Sequence, residues 1–299
     1  MRNVVSIGPS NHGDQRVMLG GAESVSSSKR LPITVAIPVR NERVGLPACL
    51  AAVGHRFEDV VVVDSASTDG TADIAHQSGV RVVSFQWNGR FPKKRNWFLR
   101  THPPTTPWVL FLDADEFIDD AFCDELARVL PTTSHSGFWL NYDNWFMGRR
   151  LRHGTPNRKL ALFRVGAGEY ERIEEDRWSH LDMEIHEHPV LQGSIGEINA
   201  RIDHRDDRGL EHWKRRHDAY AAWEAERTIR LDAAALEQLT PRQRDKYRSL
   251  PHRWLPIAYF IDQYIRRLGF LDGRAGLWHA WHKSLYFADI GRRIRAARR

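Results

Sequence analysis

The chain has 299 residues, 41% hydrophobic and 27% charged, with a formal net charge of +6. It is long enough to bury a sizeable core as one large domain, with or without an appendage. No apolar run approaches the ~20 residues needed to span a bilayer, and the first residues lack a signal-peptide core. Cys49 and Cys123 fall inside expected helices, so they read as buried thiols of a reducing compartment and not as a disulfide framework. A cytoplasmic protein is the expectation.

Residues 1–30 are rich in Gly, Ser and Asn without periodicity and read as a disordered leader. A strand–helix alternation follows. Ile33–Val39 reads as a buried strand and Asn41–Val53 as a helix with Leu46 and Leu50 on one face. Val60–Val63 is a second strand ending at Asp64. Ser67, Thr68 and Asp69 offer caps for a helix over 72–77, which Gly79 stops. Arg81–Phe85 is a third strand, and Pro92 opens a helix that runs to about Arg100. Trp108–Leu112 is the fourth strand, and Asp119–Leu130 a helix closed by Pro131. This alternation predicts an α/β fold with a mostly parallel sheet. Gly137–Phe146 and Lys159–Val165 look like further strands, joined by an arginine-rich link without helical period. After His204 the chain turns helical, with Trp213, Tyr220, Trp223 and Ile229 along one stripe.

The strand ends carry the chemistry. The apolar run Trp108–Leu112 stops at Asp113 and Asp115, two carboxylates at i and i+2 that can point the same way. Ligands of open α/β sheets collect at that edge. Paired carboxylates there suggest a bound divalent cation, Mg²⁺ or Mn²⁺. A solvated acidic loop is the plainer alternative. Strand one ends in Pro38-Val39-Arg40-Asn41-Glu42 and strand two in Asp64-Ser65, so three acid-bearing ends share one edge. Such an edge could hold a ribose, a base and a metal–diphosphate. A carboxylate such as Asp64 suits a ribose hydroxyl or a nucleobase N–H. Lys93-Lys94-Arg95-Asn96, at a helix start, could embrace a diphosphate, with a solvated basic face as the alternative. Neither a G-x-G-x-x-G nor a Walker sequence occurs.

Four segments together, Ile33–Glu42, Val61–Thr71, Lys94–Asn96 and Leu112–Glu116, resemble the family 2 glycosyltransferases in order and spacing across about residues 31–130. The resemblance implies a GT-A fold, a nucleotide-sugar donor, a divalent metal and inversion at the anomeric carbon. It also implies that Asp64 contacts the nucleotide, while Asp113 and Asp115 hold the metal and diphosphate. Where the family often has two acids, this chain has Asp64-Ser65. Met183-Glu-Ile-His-Glu-His-Pro189, His204 and Phe270-Leu-Asp-Gly-Arg-Ala-Gly276 resemble the subgroup of lipopolysaccharide-core and exopolysaccharide glycosyltransferases.

Taken alone, Glu184, His186, Glu187 and His188 could bind zinc or be ordinary structural residues, although the helical His-Glu-x-x-His spacing is absent. The preferred reading is a general base beside an acceptor hydroxyl, with Glu187 first and Asp182 and Glu184 as rivals. His204 could be a further metal or diphosphate contact. The expected site therefore comprises Pro38, Glu42, Asp64, Lys94, Arg95 and Asp113 for the donor, and Asp113, Asp115 and His204 for the metal. A UDP-sugar is favoured over a GDP-sugar. A nucleotidyltransferase and a non-enzymatic membrane-binding protein are the alternatives.

Charge is unevenly placed. Residues 251–299 hold ten basic and three acidic side chains, or +7, and the first 250 hold 34 and 35, or −1. Nine aromatic residues mingle with that tail's arginines. An amphipathic, cationic, aromatic segment predicts docking on an anionic membrane surface, at the inner face of the inner membrane. Nucleic acid is the runner-up and is not the expected partner. The expected organisation is a leader (1–30), a GT-A domain (31–205) and a helical membrane-associating region (206–299). A lipid-linked or glycan acceptor completes the reading.

Overall fold

The computed structural model describes residues 30–173, 178–179, 181–182, 188–206 and 208–299. The expected leader, apart from Arg30, lies outside the described residues, as do Glu184, His186 and Glu187 of the expected base segment.

The strands, in chain order, are β1 (Leu31–Val39), β2 (Phe57–Asp64), β3 (Arg81–Ser84), β4 (Trp108–Phe111), β5 (Glu116–Phe117), β6 (Gly137–Phe146), β7 (Arg149–Arg150), β8 (Asn157–Arg164), β9 (Gly168–Tyr170), β10 (Pro189–Leu191) and β11 (Ile195–Arg205). The main sheet runs β3-β2-β1-β4-β8-β6-β11-β5, with β7 folded back on β6 and β9–β10 forming a separate pair. Strands β1 to β4 are mutually parallel, β8 runs against β4 and β6, and β6 and β11 are parallel to each other. The carboxyl ends of β1, β2, β4, β6 and β11 and the amino end of β8 therefore share one edge. Pro38 is tolerated inside β1 because β4 pairing stops at Ala36. The missing N–H of Pro38 thus interrupts no ladder bond on that side.

Both faces of the sheet are covered. Helices α1 (Leu46–Val53), α2 (Thr71–Gln77) and α4 (Asp120–Val129) flank one face, where Ile33, Val35, Ile37 and Val39 meet Leu46, Cys49, Phe122 and Leu126. Residues of opposite parity, Ala36, Val61, Val63, Val109 and Phe111, meet Phe98 of α3 (Lys94–Thr101) and Tyr170 of β9 on the other. This period-two division is the reason these strands are apolar throughout. Cys49 and Cys123 are buried free thiols, as expected.

Helix α1 starts five residues later than expected. Asn41 adopts φ 57°, and its side chain accepts the Thr68 N–H. That turn carries Glu42 across the strand edge, where its N–H donates to Thr71 Oγ1. Helix α2 is preceded by Gly70 at φ 90°, without a side-chain cap; Asp69 instead accepts the Thr71 N–H.

The second half is helical: α5 (Leu210–Arg230), α6 (Ala233–Gln238), α7 (Pro241–Ser249), α8 (Leu255–Phe260) and α9 (Gly273–Ala297). A wide turn at Ile261–Arg266 and a tight one at Gly269–Asp272 join α8 to α9. Trp213, Tyr220 and Trp223 of α5 face inward, but Ile229 does not; it is exposed, a half-turn away from Trp213. The Phe270–Gly276 motif clasps this layer to the sheet. Asp272 accepts the N–H groups of Arg152 and His153 at 3.1 and 2.9 Å. A Cβ at Gly276 would stand 2.0 Å from the Gly269 carbonyl, so only glycine allows that approach. No helix among the described residues is long and apolar enough to cross a membrane.

Candidate active site

The shared strand edge gathers a dense set of charges. Asp113 follows β4, and its carboxylate accepts from Arg95 Nη2 at 2.9 Å and Lys159 Nζ at 2.7 Å. Lys159 also bonds Glu116, whose other oxygen accepts the Asp113 N–H at 3.0 Å. Asp115 lies within 3.3 Å of Arg208, 3.4 Å of Arg216 and 3.5 Å of His204 Nε2. Arg208 reaches Glu42 at 2.5 Å and Asp206 at 2.7 Å, and Arg216 reaches Asp206 at 2.8 Å. Five carboxylates are thus interleaved with four permanent cations and one imidazole.

These pairings set the protonation states. Burial opposes ionisation of Asp113, but Lys159 and Arg95 outweigh it and hold its pKa below the usual carboxylate range. Burial likewise acts against Asp115, and His204, Arg216 and Lys159 overcome it, so its pKa also falls. Glu116 is different: burial dominates and pushes it up to about 7 despite Lys159. Burial depresses His204, but the Asp115 carboxylate more than restores it and raises its pKa. Asp113 and Asp115 are therefore the permanent anions of the edge.

The fold brings Glu42, Arg95, Asp113, Asp115 and His204 into one network. It uses Asp64 and Lys94 differently. Asp64 accepts the N–H and hydroxyl of Ser67, closing the loop after β2. Lys94 is 1% exposed; its ammonium donates to the Val39 carbonyl at 2.9 Å and lies 3.4 Å from Asp182. Lys94 thus anchors the end of β1. Lys93 is also buried, over the Trp87 and Trp223 rings, so the basic run is not a solvated face. Asn96 makes two hydrogen bonds with the backbone of Tyr170 and fixes β9 against α3. Asp182 is 6% exposed and also approaches Arg40 at 3.7 Å. Burial acts to raise its pKa, and Lys94 with other partners lowers it on balance. Pro38 stays buried inside β1.

Lys159, Arg208, Arg216 and Asn144, whose Oδ1 accepts from His204 Nδ1 at 3.3 Å, were not among the expected residues. The strand-end rule would have reached Asn144, near the end of β6, and Asp206 and Arg208, which follow β11. Lys159 was hidden because it stands near the amino end of a strand that runs the other way.

The donor set suits a divalent cation of the Mg²⁺ or Mn²⁺ kind. Such ions take one or two carboxylates plus substrate phosphates and waters, and Asp113 and Asp115 offer carboxylates at the mouth of the edge. Among the described residues, no three His, Cys, Asp or Glu side chains converge into a closed metal cage. An open, two-carboxylate site completed by phosphate oxygens remains compatible with that arrangement.

Comparison with known proteins bears on this geometry. The chain is 28% identical over 180 residues to the lipopolysaccharide core biosynthesis glycosyltransferase LpsC of Rhizobium meliloti (strain 1021), covering 58% of this chain and 61% of that protein. It is 32% identical over 99 residues to the SPbeta prophage-derived glycosyltransferase SunS of Bacillus subtilis (strain 168), covering 32% of this chain and 23% of that protein. The chain thus spans less than two thirds of each of these relatives. Glucosyl-3-phosphoglycerate synthase from Mycobacterium tuberculosis, solved with Mn²⁺, UDP and glucosyl-3-phosphoglycerate, aligns at 27% identity over 39% of this chain and 44% of that one, with a TM-score of 0.29. The family model described as glycosyl transferase family 2 matches residues 34–187, the segment that supplies β1 to β8 and the Asp113–Asp115 edge. With more than half of its length inside that match, the chain belongs to glycosyl transferase family 2.

Proposed function

We propose that the protein is an inverting, metal-dependent glycosyltransferase that moves a sugar from a nucleotide-sugar, a UDP-sugar in preference to a GDP-sugar, to a cell-envelope glycan or lipid-linked acceptor. The observation that carries this is the pairing of Asp113 and Asp115 with Arg95, Lys159, Arg208 and Arg216 at the strand edge of a family 2 chain. A carboxylate pair alone would repel a diphosphate. Interleaved guanidinium groups make the edge able to receive one.

In this reading Asp113 and Asp115 would hold Mg²⁺ or Mn²⁺, with His204 beside them, and the ion would supply charge neutralisation for the departing diphosphate. Arg95 contacts the diphosphate, and Asp64, Pro38, Glu42 and Lys94 form the nucleoside side, Lys94 by holding the end of β1. Glu187 takes the proton of the acceptor hydroxyl as that oxygen bonds to C1 and the C1–diphosphate bond breaks. Glu184 and Asp182 are its rivals, and the lowered pKa of Asp182 keeps it ionised at neutral pH. The likeness to LpsC supports a lipopolysaccharide-core type of acceptor. An acceptor of that kind agrees with a peripheral position at the inner face of the inner membrane.

Release of nucleoside diphosphate from a panel of UDP- and GDP-sugars, with lipid-linked and lipopolysaccharide-core acceptors, tests the reading. UDP release that requires acceptor and divalent metal is expected. Pyrophosphate release would replace it with nucleotidyl transfer. Asp115→Asn should abolish turnover without loss of folded protein, and undiminished UDP release by that variant would remove the metal assignment.

A further inference from the structure

Of the fifteen exposed large hydrophobic residues among those described, eleven lie between Trp254 and Leu285. They are not scattered. Helices α8 and α9 run antiparallel: Ser284 donates to the Pro256 carbonyl, the Tyr259 ring lies tilted against Phe287 at 4.6 Å, and Phe260 meets Trp281 edge-on at 6.4 Å. Ile257, Ile261 and Ile265 recur every fourth residue along the first arm, and Trp278, Trp281 and Leu285 follow the second. Spacings of three and four keep each set along one face of its own arm, through α8 and the wide turn 261–266, and the Phe260–Trp281 contact brings the two arms together. Leu268 and Leu271 at the turn extend the ridge around its tip. Such a contiguous apolar surface on a folded chain marks a docking site.

We infer that the outer side of the α8–α9 hairpin inserts into the surface of an anionic lipid bilayer, by burial of its apolar ridge and with charge in a secondary role. Charge complementarity selects lipid as the occupant. Exposed Arg253 and Arg274 border the ridge, and Arg274 lies on the face of Trp278 and Trp281. A second copy docked ridge to ridge would set the same basic border against itself. Tryptophan at the flank suits the headgroup boundary, where one end is wet and the other apolar.

Pairing inside the tail leaves its net +7 unchanged, since that sum already subtracts Asp262, Asp272 and Asp289, but it fixes where the cations stand. Arg266 and Arg267 share Asp262, Arg292 and Arg293 share Asp289, and Arg295 donates to the Pro251 carbonyl. Lys283 lies between α9 and α5, 3.2 Å from His217. The eleven exposed apolar side chains outnumber the arginines at the ridge's border, so apolar contact dominates while charge selects an anionic surface. The hairpin also stands over the catalytic edge: Phe146 at the end of β6 packs 5.4 Å from His279, and Gln263 holds Thr155. Its use, presenting a membrane-borne acceptor to Asp115 and its neighbours, rests on the glycosyl-transfer reading; the docking itself does not.

The full chain is tested by flotation with vesicles of phosphatidylcholine containing 30% phosphatidylglycerol, at low and high salt, beside an Ile261→Glu/Trp281→Glu variant. Wild type should float, lose no more than about threefold in partitioning at high salt, and show blue-shifted tryptophan emission. The variant should lose at least tenfold at both salt concentrations, with unchanged circular dichroism and unchanged UDP release on a water-soluble acceptor. Equal flotation of both proteins, or complete release by salt, overturns the inference. So does a lipid-free dimer that the variant dissolves, which would make a second copy the occupant. UDP release without flotation refutes docking alone, whereas flotation without UDP release refutes the catalytic reading alone.

Discussion

Arg208 occupies a position that a bound cation would contest, which makes its removal informative. Its guanidinium lies between Glu42, Asp115 and Asp206 with only 15% of the side chain exposed. Breaking a buried ion pair by deleting one partner costs about 3–5 kcal/mol. Here the loss is softened, because Asp115 and Asp206 keep Arg216, and Asp115 keeps His204. Glu42 loses its ion pair, but burial already raises its pKa, so it accepts a proton more readily. About 2–3 kcal/mol is the resulting expectation for Arg208→Ala at neutral pH, or a fall of about 4–6 °C in Tm at about 2 °C per kcal/mol for a chain this long.

Divalent metal should then act in the opposite direction. If Asp115 holds the metal as proposed, Mn²⁺ must displace guanidinium from it in the wild type, and in Arg208→Ala one competitor is gone. A tenfold gain in metal affinity adds about 1.4 kcal/mol of stabilisation, or about 3 °C, at a saturating concentration. The assay is a thermal melt of both proteins with chelator and across a Mn²⁺ titration, with and without UDP. Equal melting with chelator, or an equal Mn²⁺ shift in the two proteins, refutes the idea that Arg208 holds the place of the metal at Asp115.

Two further predictions concern stability. Glu125 of α4 accepts the N–H groups of Asn199 and Ala200, where β11 bulges against β6. Glu125→Ala leaves both donors unanswered and should cost about 2–3 kcal/mol in urea unfolding, with turnover per folded molecule retained. His217 and His279 are held neutral by burial, next to Lys283, with pKa values lowered to about 2 and about 3. Unfolded histidine titrates near 6.5, so below that pH the unfolded chain binds more protons and stability falls as pH drops toward 3. Glu116 and Glu42, raised by burial, contribute in the opposite direction, but both are common to the wild type and the variant, so the comparison isolates the histidine. Melts between pH 6.5 and 4.5 should show a shallower decline for His279→Gln than for the wild type; parallel curves would contradict the assignment.

The sheet and its acidic edge were legible because a buried parallel strand has few ways to end. An apolar run that stops at a carboxylate marks both the strand's direction and its exit, and this located Asp64, Asp113 and Asp115. Lys94 came from a different rule, cations beside a helix start. A lysine beside a helix start looks like a phosphate contact in sequence, and only the fold reveals the Val39 carbonyl and Asp182 around it. The start of α1 was misjudged for a related reason. Residues 41–45 have helical spacing, but the left-handed Asn41 is fixed by Thr68, 27 positions away, a contact that periodicity cannot register.

The acidic half of the site and most of its cationic half come from different parts of the chain, and this explains why Asp113, Asp115, Arg95 and His204 were read from sequence while Lys159, Arg208 and Arg216 were not. Asp113, Asp115 and Glu116 lie within four consecutive residues, while Lys159 and His204 arrive from β8 and β11, Arg208 from the turn after β11 and Arg216 from α5. Arg216 belongs to the helix whose His217 packs against Tyr286 and touches Lys283 of α9. The outer side of α9 carries Trp278 and Trp281. From the exposed ridge to Asp115 there is thus a short path of packed side chains through two helices. A chain in which those helices were only a solvated appendage would have no reason to route its carboxylate partners through α5. The placement of Arg208 and Arg216 instead makes the helical layer part of the site's electrostatics. Truncation at residue 205 would therefore leave Asp115 with His204 as its one remaining ion-pair partner among those described.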